Sequence, residues 1–169
     1  MLFFIKYVML LLILLISTQI GILKAKTYDN RVIYLKKFKN ALEMMKSKIE
    51  FTYEPIKDIF EEISKIIYYE KENVFATTIN MIGEKSVNES WNLAVEHENN
   101  FNNEDKSTIK MFGKLLGKTD KAGQINEINV TSKLVDDLIE KAENEKDKNY
   151  KLFKTLGLVI GIGTCIILV

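Results

Sequence analysis

The chain is predicted to be all-α: about six helices forming a bundle, flanked by a transmembrane helix at each end. Three observations predict it. The 169 residues hold a single Pro and 8 Gly, too few turn residues for a strand-and-turn fold. Long apolar runs stand at both ends of the sequence. Between them, apolar residues recur every three or four positions. A chain that is 47% hydrophobic and 28% charged is not a disordered one.

The first apolar run is Leu2–Leu23, interrupted only by Lys6. A bilayer core needs about 20 apolar residues of helix, and Lys6 can snorkel to an interface. A cleaved signal peptide is the rival reading. It suits the sequence less well, because Lys24 and Lys26 surround the only plausible small residue, Ala25. The last run, Leu156–Val169, reaches spanning length when residues 152–155 join it. The expected organisation is an anchor over 1–23, a helical bundle and neck over 24–151, and a second anchor over 152–169.

Lysines set the expected orientation. Lys24, Lys26, Arg31, Lys36, Lys37 and Lys39 follow the first run, and Lys146, Lys148, Lys151 and Lys154 precede the second. On the terminal sides the only basic side chain is Lys6, near the start of the first run. The positive-inside rule therefore places the middle of the chain in the cytoplasm. Ser17 with Gly21, and Gly157 with Gly161, are small residues four apart. Such pairs let helices approach closely in lipid, either between the two anchors or on a partner.

Between the anchors, Leu35, Phe38, Leu42, Met45, Ile49 and Thr52 form a heptad seam on a helix from about 28 to 53. Pro55 stops it and opens the next helix in its first turn. There Ile56, Ile59, Phe60, Ile63, Ile66 and Ile67 make a broad apolar stripe. A short third helix uses Val74, Phe75, Ile79 and Ile82 and ends at Gly83. Ser90 is read as the cap of a helix carrying Trp91, Ala94 and Val95. After the Asn-rich stretch 98–105, Asp105 is read as the cap of a helix with Ile109, Phe112 and Leu116 on one face. Gly117 suits its left-handed end, Thr119 caps the last helix, and Asp120 sits at that helix's positive end. The last helix carries Ile125, Ile128, Val135, Leu138, Ile139 and Ala142, then runs unbroken through a polar neck into the C-terminal anchor.

Chemistry is hard to find. His97 is the only histidine and has no cysteine or second histidine near it in sequence, which argues against zinc. Glu61/Glu62 and Asp136/Asp137 are adjacent pairs, so each pair points to two helix azimuths and does not converge as an acid–base dyad. GIGTC in the tail lacks the lysine of a phosphate loop, and no serine sits in a GxSxG elbow. Net charge is +1, so no global field selects nucleic acid or anionic lipid, and Arg31 is the only Arg among 24 basic residues, which argues further against nucleic acid. Cys165 stands alone and makes no internal disulfide. No cofactor, metal, small-molecule substrate or catalytic residue is expected. A hydrolase built on Glu61 or Asp136 is the remote alternative.

The order of several motifs resembles the stage III sporulation protein AB family of endospore-forming bacteria. They are Arg31 before a long helix ending in IEFTYEPI, with Tyr53 and Pro55; Trp91; FGKLLGKTDKAGQ, with Phe112, Gly113, Leu116, Gly117, Thr119, Asp120 and Gln124; and KLFKTLGLVIGIG, with Gly157 and Gly161. Ser90 stands where the family has Ala before the tryptophan, and Thr119 where it often has Ser. The resemblance implies a bundle like the cytoplasmic domain of type II secretion platform proteins. It further implies a non-enzymatic component of the mother-cell membrane complex that joins a channel to the forespore, required for endospore formation. The implied partners are a cytoplasmic secretion-type ATPase and other channel proteins. The competing expectation is a membrane-anchored signalling or regulatory adaptor, with Arg31 and the lysine-rich first helix facing an acidic partner.

Overall fold

A computed structural model describes residues 2–52, 54–68, 73–114 and 120–168. Among the described residues six helices follow in order: α1 (Leu2–Phe51), α2 (Ile56–Ile66), α3 (Val74–Met81), α4 (Val87–His97), α5 (Asn103–Gly113) and α6 (Lys121–Leu168). Among the described residues no strand forms; the one β-type bridge, Ile82 to Lys85, closes the turn at Gly83, whose φ is +119°. α1 and α6 are 50 and 48 residues long, so each predicted anchor continues unbroken into polar sequence.

The chain divides into two compact units: Met1–Val32 with Lys141–Val169, and Ile33–Glu140. In the central unit the heptad seam is the core. Leu35, Phe38, Leu42 and Met45 are fully buried, beside Ile59, Phe60 and Ile63 of α2. Val74 and Phe75 of α3, Ile109 and Phe112 of α5, and Ile128, Val135 and Leu138 of α6 complete it. The ends of the predicted stripes thin out, with Thr52 exposed and Ile66 52% exposed.

Helix starts differ from the sequence reading in an instructive way. Ser86, not Ser90, caps α4, its hydroxyl accepting from the Glu89 amide at 3.2 Å. Ser90 lies one turn inside the helix and is fully buried. The capping-box spacing Ser86-x-x-Glu89 marks the true start. Asn102, not Asp105, caps α5. The Asn102 carboxamide oxygen accepts from the Asp105 amide at 2.8 Å, and the Asp105 carboxylate accepts from the Asn102 amide at 3.0 Å. Pro55 is the residue just before α2 rather than its first residue. Asp120 caps α6, accepting from the Gly123 amide at 2.9 Å. Tyr53, Leu116, Gly117 and Thr119 lie outside the described residues.

The buried Ser90 hydroxyl finds no hydrogen-bond partner among the described residues. Such a group carries a desolvation cost without return. Ser90→Ala is therefore expected to raise stability by about 1 kcal/mol, from relief of that cost and better helix propensity. A chemical-denaturation midpoint that falls in the variant is the opposing result.

Candidate functional site

The described motif residues fall in both units. In the central unit Trp91 of α4 is a hub. Its ring meets one aromatic ring from each of four other helices: Phe38 at 6.1 Å, Phe60 at 5.6 Å, Phe75 at 5.5 Å and Phe112 at 5.7 Å between centroids. Tilted and edge-to-face pairs of this kind add to ordinary burial. The indole Nε1 donates to the Ile109 carbonyl at 2.8 Å, so the one polar atom of the ring is satisfied. Gly113 lies against that ring. A Cβ built on Gly113 would stand 2.1 Å from Trp91 Cδ1, where no side chain fits. Trp91, Phe112 and Gly113 are thus packing partners. Asp120 and Gln124 belong to a helix start, the Gln124 amide donating to the Asp120 carbonyl at 3.0 Å.

In the terminal unit α1 and α6 meet along small residues. A Cβ on Gly21 would lie 2.8 Å from Gly157 Cα, and one on Gly161 would lie 2.9 Å from Leu14 Cδ1. The Ser17 hydroxyl donates to the Gly157 carbonyl at 2.7 Å. The two small-residue pairs therefore pack the predicted anchors on each other. Large apolar side chains point outward instead: Phe4 is 75% exposed, Leu11 57%, Ile20 61% and Ile160 59%. Small inside and large apolar outside is the arrangement suited to lipid, not to water. Both helices are long and apolar enough to cross a membrane. Further along the same pair Tyr28 stacks on Phe153 at 5.7 Å. Arg31 binds Glu145 at 2.7 Å, and Lys146 binds Asp29 at 2.7 Å. The Arg31 side chain is 7% exposed. It serves the α1–α6 contact and is not presented to an acidic partner, as the adaptor reading supposed.

Three of the acidic residues considered for catalysis are held by lysines. Glu61 binds Lys65 at 2.6 Å and Glu62 binds Lys48 at 2.6 Å. Asp136 binds Lys39. The Lys65 hydrogen bond and charge keep the Glu61 carboxyl below the usual carboxylate range, and Lys110 does the same for Glu96. A general acid needs the opposite shift. His97 and Glu98 border a polar groove of about 210 Å³, shared with Tyr34, Asn73 and Thr77. That is below the roughly 300–1,000 Å³ of small-molecule sites. The Glu98 carboxylate is already engaged by Asn100, whose amide and side-chain nitrogens donate at 3.0 and 2.8 Å. Among the described residues no three His, Cys, Asp or Glu converge as metal ligands.

The Asn-rich stretch 98–105 is largely structural. Phe101 and Asp105 are buried, while Asn100 and Asn102 bond locally. Its Asn content by itself marks only a loop. The capping-box spacing Asn102-x-x-Asp105 was the available signal for its other role.

Three comparisons bear on the chain. The family model for stage III sporulation protein AB matches residues 6–169. Stage III sporulation protein AB of Bacillus subtilis (strain 168) is 22% identical over 155 residues, covering 89% of this chain and 91% of that one. A solved structure of stage III sporulation protein AB superposes with a TM-score of 0.62 at 17% identity, covering 70% of this chain and 98% of that chain. That likeness shows the all-helical fold.

Proposed function

This chain belongs to the stage III sporulation protein AB family, and from that premise we propose that it is a non-enzymatic membrane platform of the mother-cell-to-forespore channel complex. Residues 1–23 and 152–169 span the mother-cell membrane, and residues 24–151 lie in the cytoplasm. There the bundle engages a cytoplasmic secretion-type ATPase and other channel proteins, and the ATPase supplies the energy. The complex is required for endospore formation.

One observation carries this reading most of the way: the inverted packing of α1 and α6, with Gly21, Gly157 and Gly161 buried and Leu11, Ile20 and Ile160 exposed. A chain that turns its apolar surface to lipid at both ends, and whose Glu61, Glu62 and Asp136 are tied to lysines, is built to hold partners at a membrane. The lysine distribution supports the cytoplasmic placement. Deleting the chain in its sporulating host should stop development after engulfment, and pull-down of the full chain from sporulating cells should recover the ATPase. Normal sporulation of the deletion, or recovery of no channel component, would overturn the platform role. Orientation is tested separately, with Asn99→Cys in a Cys165→Ala background. Asn99 is exposed and, unlike Asn102, caps nothing. Labelling of Asn99→Cys by an impermeant maleimide added outside intact cells would overturn the cytoplasmic placement.

A further inference from the structure

Five lysines gather where the packed α1–α6 pair leaves its apolar section. Lys24 and Lys26 stand on α1, and Lys148, Lys151 and Lys154 on α6; all five are exposed. Tyr28 on Phe153, with Lys24 Nζ 6.0 Å from the Phe153 ring centre, brings residues 24–28 of one helix level with residues around 153 of the other. The lysines thus form one band and not two separate runs. The band holds no acid: residues 23–28 read LKAKTY and residues 148–155 read KNYKLFKT.

Carboxylates begin just beyond it, and two of them already hold other cations, Asp29 with Lys146 and Glu145 with Arg31. Asp147, one turn before Lys151, makes no ion pair with it. None of the five lysines has a carboxylate partner among the described residues. On α6 they are spaced by three, so they cover an arc of about 120° and face outward together. Tyr28, Tyr150 and Phe153 interleave with them, as aromatic residues do at the level of headgroups.

We propose that Lys24, Lys26, Lys148, Lys151 and Lys154 form a collar that binds the phosphates of anionic phospholipid headgroups. The proposal rests on the membrane placement given above. An ammonium is a point charge that suits a mobile phosphate, whereas Arg31, the forked group, is kept for the internal pair. A juxtamembrane lysine raises affinity for an anionic surface roughly five-fold, and the effect is screened within a Debye length of about 8 Å at physiological salt. The collar would select anionic lipid around the α1–α6 pair.

The test uses the full chain in a neutral detergent, mixed with phosphatidylglycerol or phosphatidylcholine, and native mass spectrometry counts the retained lipids. Phosphatidylglycerol should be retained about ten-fold or more over phosphatidylcholine, and the preference should shrink at about 1 M salt. It should vanish when the five lysines become glutamine. It should survive when Lys57, Lys65, Lys85, Lys114 and Lys133 of the central unit, all exposed, are changed instead. Equal retention of both lipids overturns the proposal, as does a preference that outlives the collar variant. Complete competition by inorganic phosphate would assign the site to the free ion and overturn the lipid reading. Alkaline extraction of native membranes reads insertion separately. A chain that stays in the membrane but shows no headgroup preference sinks the collar alone, whereas a chain that is released sinks the membrane placement.

Discussion

Gly113→Val is expected to destabilise the central unit by roughly 2–4 kcal/mol, the combined scale of overpacking a core and losing a buried hydrogen bond. The cause is local. A Cβ at position 113 falls 2.1 Å from Trp91 Cδ1. The indole is fully buried and cannot swing aside without pressing on Phe38, Phe60, Phe75 or Phe112. It would also move Nε1 from the Ile109 carbonyl, leaving a buried donor unpaired. At roughly 4 °C per kcal/mol for a unit of this size, the melting temperature should drop by about 8–16 °C. Trp91 is the only tryptophan, so its fluorescence reports on this cluster alone. Its emission should shift to the red in Gly113→Val. An unshifted melting temperature and emission would mean that α4 and α5 do not meet as described.

The second large effect concerns the paired apolar helices. Cys165 Sγ donates to the Leu10 carbonyl at 3.4 Å and is the only cysteine. A Leu10→Cys variant should therefore cross-link to Cys165 within one chain when treated with a short thiol-reactive reagent. Adding Gly157→Leu should cut that yield about ten-fold. A leucine there meets Gly21 Cα and the Ser17 carbonyl, each 2.8 Å from the position of its Cβ. A ten-fold loss needs only about 1.4 kcal/mol, well within what a close approach through small residues supplies. Gly163→Leu is the control, because a Cβ on Gly163 meets no atom within 4 Å. Equal yields in the Gly157 and Gly163 variants would show that the helices do not depend on this contact.

Much of the fold was legible because helices write their period into the chain. The seam through Leu35, Phe38, Leu42 and Met45 and the stripe through Ile59, Phe60 and Ile63 are buried as their spacing required. Caps were less legible. Ser, Asn and Asp all suit a helix start, and composition alone does not choose among several within one turn. Thus Ser90 reads as a cap where Ser86 serves, and Asp105 where Asn102 does. In both cases the residue misread as the cap lies further into the helix, and the reciprocal spacing of a capping box was the better guide.

What the sequence determined by itself was local and one-dimensional: helix content, the two apolar ends, the absence of a recognisable catalytic motif, and the family. What only the tertiary structure decided was which distant residues meet. The motif residues Trp91, Phe112 and Gly113 became one packed cluster. Arg31 became the partner of Glu145. Gly21 and Gly157 became a single close contact, 136 positions apart in the chain. Periodicity reports which face of a helix is apolar, but not what that face touches. The partner is chosen by shape at ångström scale, where a missing Cβ or a single satisfied N–H decides whether two helices fit.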